Sequence, residues 1–250
     1  MSALQIIQNV ASVSGFVAPT HLRGNRDPLA ISMLVLLNRS GTLLSKKRGS
    51  FGQSWPKLTK EYSITTEPGV ENYPLPADFA DLISDTTWDR STYYEGTGPL
   101  SPQEWQTIKS SLAETVSLSP LYRIRLNAAT GSLVLALDPV PSSSQIIAFE
   151  YVSRNWASDG EGTPIIHSSI TADSQVPIFD QDLMELDLEW RFKRSRGLSF
   201  QAELAEFEMQ RDQRFALESG MRTVSMAGIL PTEEDEYGPG VVVNAPPATS

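Results

Sequence analysis

The chain has 250 residues, 40% of them hydrophobic and 20% charged, enough to bury one sizeable core or two small ones and too apolar for a wholly disordered protein. Thirty acids against 20 bases leave a net charge of -10, which argues against wrapping nucleic acid with the whole surface. The charge is split: residues 1–60 hold eight bases (Arg23, Arg26, Arg39, Lys46, Lys47, Arg48, Lys57, Lys60) against the single acid Asp27, or +7, and the remainder holds 12 bases against 29 acids, or -17.

Leu4, Ile7, Ala11 and Ser14 fall at helical spacing behind Ser2, an N-cap candidate, and predict a first short helix. Gly15, Pro19 and Gly24 break it. Asp27-Pro28, a cap followed by proline at the first helical position, opens a second helix to about Lys47, with Leu29, Met33, Leu36, Leu37, Leu43 and Leu44 apolar and a kink or early stop expected at Gly41. The greasiest stretch, Leu29 to Leu37, is bracketed by Asp27 and Arg39, so no membrane span is expected.

From Trp55 to about Tyr151 the period shortens to β-runs, clearest at Glu61–Thr66, Leu121–Asn127, Gly131–Leu137 and Gln145–Ser153, with the second and third forming a hairpin. One helix interrupts them from the cap Ser101 through Leu112, with Pro102 first and Glu104 at the capping-box position. Residues 157–179 read as a loop rich in Gly, Ser and Thr. Asp180 caps a long helical stretch to about Met221, striped by Leu183, Leu186, Trp190, Phe200, Leu204, Phe207 and Phe215, with a stop at Gly197.

The fold class is therefore α+β: an N-terminal helical part (1–50), an antiparallel β-rich region with one helix (51–156), a loop (157–179), a C-terminal helical hairpin packing with the N-terminal helices (180–222) and an extended acidic tail (223–250). The tail lacks periodicity. It reads either as a frayed terminus or as a docking arm, with Glu233, Glu234, Asp235, Tyr237 and the strand-forming triplet Val241, Val242, Val243 as its contact residues.

The chemistry-bearing residues are sparse. Zero cysteines exclude disulfides, thiolate nucleophiles and Cys-ligated zinc. The two histidines, His21 and His167, are far apart in loop-like contexts, and Asp173, Asp180 and Asp182 match no calcium loop, so neither metal nor cofactor is expected. Gly96-Thr97-Gly98 lacks the remaining residues of a nucleotide-binding fingerprint. Arg39, Lys46, Lys47 and Arg48 read as a phosphate-contacting face or as a solvated helix end. Arg191, Lys193, Arg194 and Arg196 crowd one helix end, where acids such as Asp187 pair with them either within the helix, as Asp187 with Arg191, or across a subunit boundary. Asp187, Arg191, Arg194 and Glu203 are the candidate inter-subunit contacts.

Trp55-Pro-Lys-Leu-Thr-Lys-Glu, Tyr73-Pro-Leu-Pro-Ala-Asp-Phe79, Thr87-Trp-Asp-Arg90, Gly98-Pro-Leu-Ser-Pro-Gln-Glu-Trp105 and Phe149-Glu-Tyr-Val-Ser-Arg-Asn-Trp156, followed by Asp180-Gln-Asp-Leu, Trp190-Arg-Phe-Lys and Gly197-Leu-Ser-Phe200, resemble in order and spacing a tailed-bacteriophage head–tail adaptor of the tail tubular A group, over roughly residues 50–215. The resemblance implies a ring, usually of twelve copies, beneath the portal protein, extending the DNA exit channel and offering a platform to a tail or nozzle protein. It implies a virion protein made in the host cytoplasm that touches genomic double-stranded DNA only transiently. The expected role is binding and not catalysis. Two alternatives differ in class: a cell-envelope (peptidoglycan) hydrolase acting during infection, and a DNA-binding module using residues 23–60. Locally, Asp78 is expected to cap the turn that carries Phe79 inward, and Trp88, Trp105 and Trp156 are expected in the core.

Overall fold

The computed structural model describes residues 1–49, 53–110 and 119–219. Ser2 accepts from the Gln5 amide while the Gln5 side chain accepts from the Ser2 amide, and this reciprocal cap starts helix α1 (Ala3–Val13). Asp27 accepts from the Leu29 amide and starts α2 (Pro28–Ser45), with Pro28 where its missing N–H costs nothing. Both caps and the position of Pro28 agree with the sequence pattern.

The β-rich part comprises strands β1 (Thr59–Thr65), β2 (Asn72–Pro74), β3 (Phe79–Leu82), β4 (Trp88–Asp89), β5 (Tyr94–Glu95), β6 (Leu121–Leu126), β7 (Leu133–Asp138) and β8 (Ile146–Ser153), with helix α3 (Pro102–Ser110) between β5 and β6. Strand β8 is central: it pairs antiparallel with β1 along one edge and with β3 and β4 along the other. A second sheet runs β2-β7-β6, and the β6–β7 hairpin pairs Leu121 with Asp138 through Leu126 with Leu133. Ile147, Phe149 and Tyr151 face a cluster with Ile64, Tyr73, Phe79, Tyr122, Leu135 and Leu137. Val152, on the opposite face of β8, enters the helical core, so this strand is buried on both sides.

Residues 157–179 are not simply a loop. They contain β9 (Ala157–Ser158), β10 (Ile165–His167) and β11 (Val176–Pro177), a three-stranded sheet in the order β10-β9-β11. Strands of two or three residues are too short to carry a period-two pattern, so composition alone reads as a loop.

Helices α4 (Gln181–Ser195) and α5 (Gln201–Glu218) follow, α4 capped by Asp180 and ended at Gly197, whose φ of +71° suits glycine. Ion pairs Asp180–Arg214 at one end and Lys193–Glu203 at the other show the two helices antiparallel, which is the expected hairpin. Helix α4 also packs against α1 and α2. The chain start is sewn to a distant segment: the Ala3 amide donates to the Gln175 carbonyl, the Leu22 amide to the Asp173 carboxylate, and Asn9 to Glu185.

Several expectations change. Helix α2 continues through Gly41, because the missing side chain is where the Trp156 indole lies; a Cβ there would collide with the ring. Leu43 faces outward at 44% exposure. By length and composition α2 is apolar enough to cross a membrane, with a mean hydropathy of 1.2, although its flanks carry charges; its inner positions Ala30, Met33, Leu37 and Leu44 are buried in the fold. Trp105 and Trp156 are core residues, but Trp88 is 44% exposed on a two-residue strand.

Replacing Trp156 with alanine is expected to cost about 3–5 kcal/mol, and Trp88→Ala well under half of that, by urea denaturation. Gly41→Ala, which in an open helix position gains about 1 kcal/mol, is expected to lower the urea midpoint here; a raised midpoint would contradict the packing of Trp156 on Gly41.

Candidate functional site

The C-terminal hairpin carries the densest set of charged side chains. Asp187 is fully buried, accepting from the Trp190 indole at 2.7 Å and from Arg191 at 3.0 Å, and the Arg191 guanidinium lies 4.4 Å from the centroid of the Trp190 ring. A buried carboxylate needs such partners, since an unpaired one is strongly destabilising. Glu203 accepts from Lys193, which also meets Glu189; the two carboxylates hold the Lys193 ammonium above the ordinary Lys range, and Lys193 holds Glu203 below its own. Of the four candidate inter-subunit residues, Asp187, Arg191 and Glu203 are thus engaged within one chain. Arg194 is exposed, stacks 5.9 Å from the Phe200 ring and pairs with no carboxylate among the described residues. Together with Arg39, Leu36, Trp190, Arg191 and Ser195 it lines a niche of about 260 Å³ between α2 and α4.

The basic N-terminal quarter divides in two. Lys47 pairs with Asp212, Arg48 with Asp81, Lys57 with Glu218 and Lys60 with Asp78. Arg23, Arg26, Arg39 and Lys46 pair with no carboxylate among the described residues, so half of the presumed phosphate-contacting charge is already matched internally.

Asp78 does not cap the turn before Phe79; the Phe79 amide donates to the Pro76 carbonyl instead. Its carboxylate takes Lys60 at 2.7 Å, Ser153 at 2.7 Å and Tyr151 at 2.9 Å, pinning the segment before β3 to the end of β8. Burial alone would raise its pKa, but Lys60, Ser153 and Tyr151 together hold it below the ordinary Asp value. Burial and the adjacent Asp78 push the Tyr151 phenol upward. Beside β3 opens a groove of about 1200 Å³, whose walls include Arg48, Leu82, Leu100, Ile124 and Glu150. Across the other sheet, Lys109 of α3 sits between Glu71 and Asp138 and 5.1 Å from the Trp105 ring, clamping α3 to β7.

His167 pairs with Asp159 at 2.7 Å and His21 with Thr20 at 3.0 Å, and no group of three or more metal-binding side chains occurs among the described residues. The candidate arm residues Glu233, Glu234, Asp235, Tyr237, Val241, Val242 and Val243 lie outside the described residues.

The family model described as SU10 adaptor protein matches residues 1–236. The chain belongs to the SU10 adaptor protein family. No curated protein matches it. As a member of this phage adaptor family, the protein is a virion component of the head–tail junction with a part in tail assembly, in agreement with the resemblance carried by residues 50–215. The match reaches further than that resemblance, taking in α1 and α2 and the acids up to Glu236. Membership in an adaptor family turns attention from clefts to outward faces, and the residues that motif reasoning passed over are those faces of α2 and α5. Their signal in the sequence is apolar residues on the polar arc of an amphipathic helix: Ile31 and Val35 on α2, Met209 and Leu217 on α5.

With its folded-state pKa lowered, Asp78 stabilises the fold above the ordinary Asp value of about 3.9, and that contribution fades as pH falls through the lowered value. Asp78→Asn is therefore expected to be less stable than the parent at pH 7, with the gap in urea midpoint closing as the pH is lowered through the ordinary Asp value and below it. Parallel curves across that window would remove Asp78 as a source of acid sensitivity.

Proposed function

We propose that the protein is a ring-forming connector: copies assemble beneath the portal protein, extend the DNA exit channel and offer a docking platform to a tail or nozzle protein. The observation that carries this reading is the SU10 adaptor match over residues 1–236. A twelve-fold ring comes from the resemblance to the tail tubular A group. The role is one of binding and not of bond breaking; the half-buried Asp78 and the buried Asp187 serve as structural anchors for Lys60, Tyr151, Ser153, Trp190 and Arg191. A net charge of -10 per copy, multiplied around a ring, repels duplex DNA from the bulk of the surface, so contact with the genome is transient and DNA can slide. Residues 223–250 act as the arm that attaches the ring, with the Val241–Val243 triplet able to add as a strand to a partner.

The test pairs the full chain with portal particles and images the neck by electron microscopy. Added density below the portal is expected, and its absence, together with a strictly monomeric mass, would overturn the connector reading. Removing residues 223–250 is expected to leave the thermal transition of the isolated protein in place and to weaken ring or portal attachment; unchanged attachment by the shortened chain would remove the arm.

A further inference from the structure

Two helix faces stand out as unpartnered among the described residues, and they differ in charge. On α2 the outward arc carries Ile31 and Val35, 48% and 61% exposed, beside Arg39. Arg39 opens into the niche it shares with Arg194, and neither guanidinium meets a carboxylate among the described residues. On α5 the side opposite Phe207 and Phe215 carries Met209, 56% exposed, and Leu217, 77% exposed, beside Glu206. Glu206 accepts from Gln210 at 3.3 Å but pairs with no cation, and the exposed Glu208 pairs with none either among the described residues. Helix α5 holds Glu203, Glu206, Glu208, Asp212 and Glu218 against Arg211 and Arg214, a net of -3, whereas α2 carries Arg39 as its one charged residue.

These faces match each other in chemistry and in spacing. Val35 and Arg39 are four residues apart on one helix face, Glu206 and Met209 three apart on the other, so each face presents one apolar and one charged side chain about a turn apart. The faces belong to different parts of the fold, and a contact between two different patches of identical copies is heterologous, which closes into a ring when the rotation allows.

We propose that α2 of one copy seats against the outer face of α5 in a second copy of this chain, with Glu206 entering the Arg39–Arg194 niche and Met209 packing on Ile31 and Val35. This inference rests on the ring reading above and specifies its lateral contact. The pair is surrounded by apolar side chains that exclude water, so it supplies register as well as attraction. Arg194, one of the candidate inter-subunit residues, keeps that role; Asp187 supports it from beneath by holding Arg191 and Trp190 in the niche wall.

The experiment is a charge swap in the full chain, read by sedimentation velocity over a range of concentrations, alone and with portal particles. Arg39→Glu and Glu206→Arg each change an exposed residue, so the thermal transitions of both variants are expected to match the parent. Each variant alone is expected to self-associate about tenfold to a hundredfold more weakly. An equimolar mixture of the two, and a chain carrying both changes, are expected to recover assembly, because every α2–α5 contact then joins opposite charges. Assemblies larger than a dimer in the mixture support the heterologous arrangement. If the parent forms rings that neither reversal weakens, or if the mixture does not recover, this contact is overturned while the connector reading stands. A parent chain that remains monomeric both alone and on portal particles overturns the two together.

Discussion

Four aromatic rings and one missing side chain hold the parts of this fold in register. Trp156, at the exit of β8, lies on the bare backbone of Gly41 in α2 and stacks on Phe179, the residue just before the cap of α4. Trp55 meets Phe179 edge-on at 5.5 Å and Phe215 of α5 at 5.0 Å, and its indole donates to the Leu44 carbonyl of α2 at 2.9 Å. The N-terminal helices, the central sheet and the C-terminal hairpin therefore share one knot of packed rings. Aromatic pairs in such edge-on and offset arrangements contribute about 0.5–1.5 kcal/mol beyond their buried area, and the larger effect is geometric: none of the three parts can shift without unseating the others.

What the sequence makes legible follows from the range of the interaction involved. Caps act over three residues, so Ser2, Asp27, Ser101 and Asp180 mark true helix starts, and the β6–β7 hairpin needs only its local turn. Trp156 on Gly41 joins residues more than a hundred positions apart. An isolated glycine in a helical pattern accordingly reads as a weak point, although here it is a packing site. Asp78 fails as a local reading for the same reason, its partners Lys60, Tyr151 and Ser153 lying on two distant strands. The charged residues of α4 and α5 show the converse. The i,i+4 pair Asp187–Arg191 is visible in spacing alone, whereas the unmatched state of Arg39 and Arg194 among the described residues emerges only once the described carboxylates have their places.

The charge split between the first quarter and the rest also changes meaning on folding. Lys47, Arg48, Lys57 and Lys60 each find an acid from later in the chain, so much of the sequence dipole is consumed inside one molecule. These are mostly exposed pairs of modest individual strength. Their collective effect is to leave, among the described residues of the first quarter, four cations without a carboxylate, which converts a diffuse basic segment into a few isolated charges.

The stitching of the chain start to residues 173–185 has a temporal consequence. Asn9 and Glu185 are separated by 176 residues, so α1 has α2 but not α4 to pack on while the ribosome is still making the sheet. At ordinary synthesis rates that delay is on the order of ten seconds or more, during which Ile6, Ile7, Val10 and the inner side of α2 lack the cover that α4 supplies. A nascent or prematurely terminated chain leaves apolar helix faces uncovered, whereas the arrival of α4 and α5 closes the helical core in one late, long-range step. Completion of the helical core is thus tied to the arrival of α4, late in synthesis.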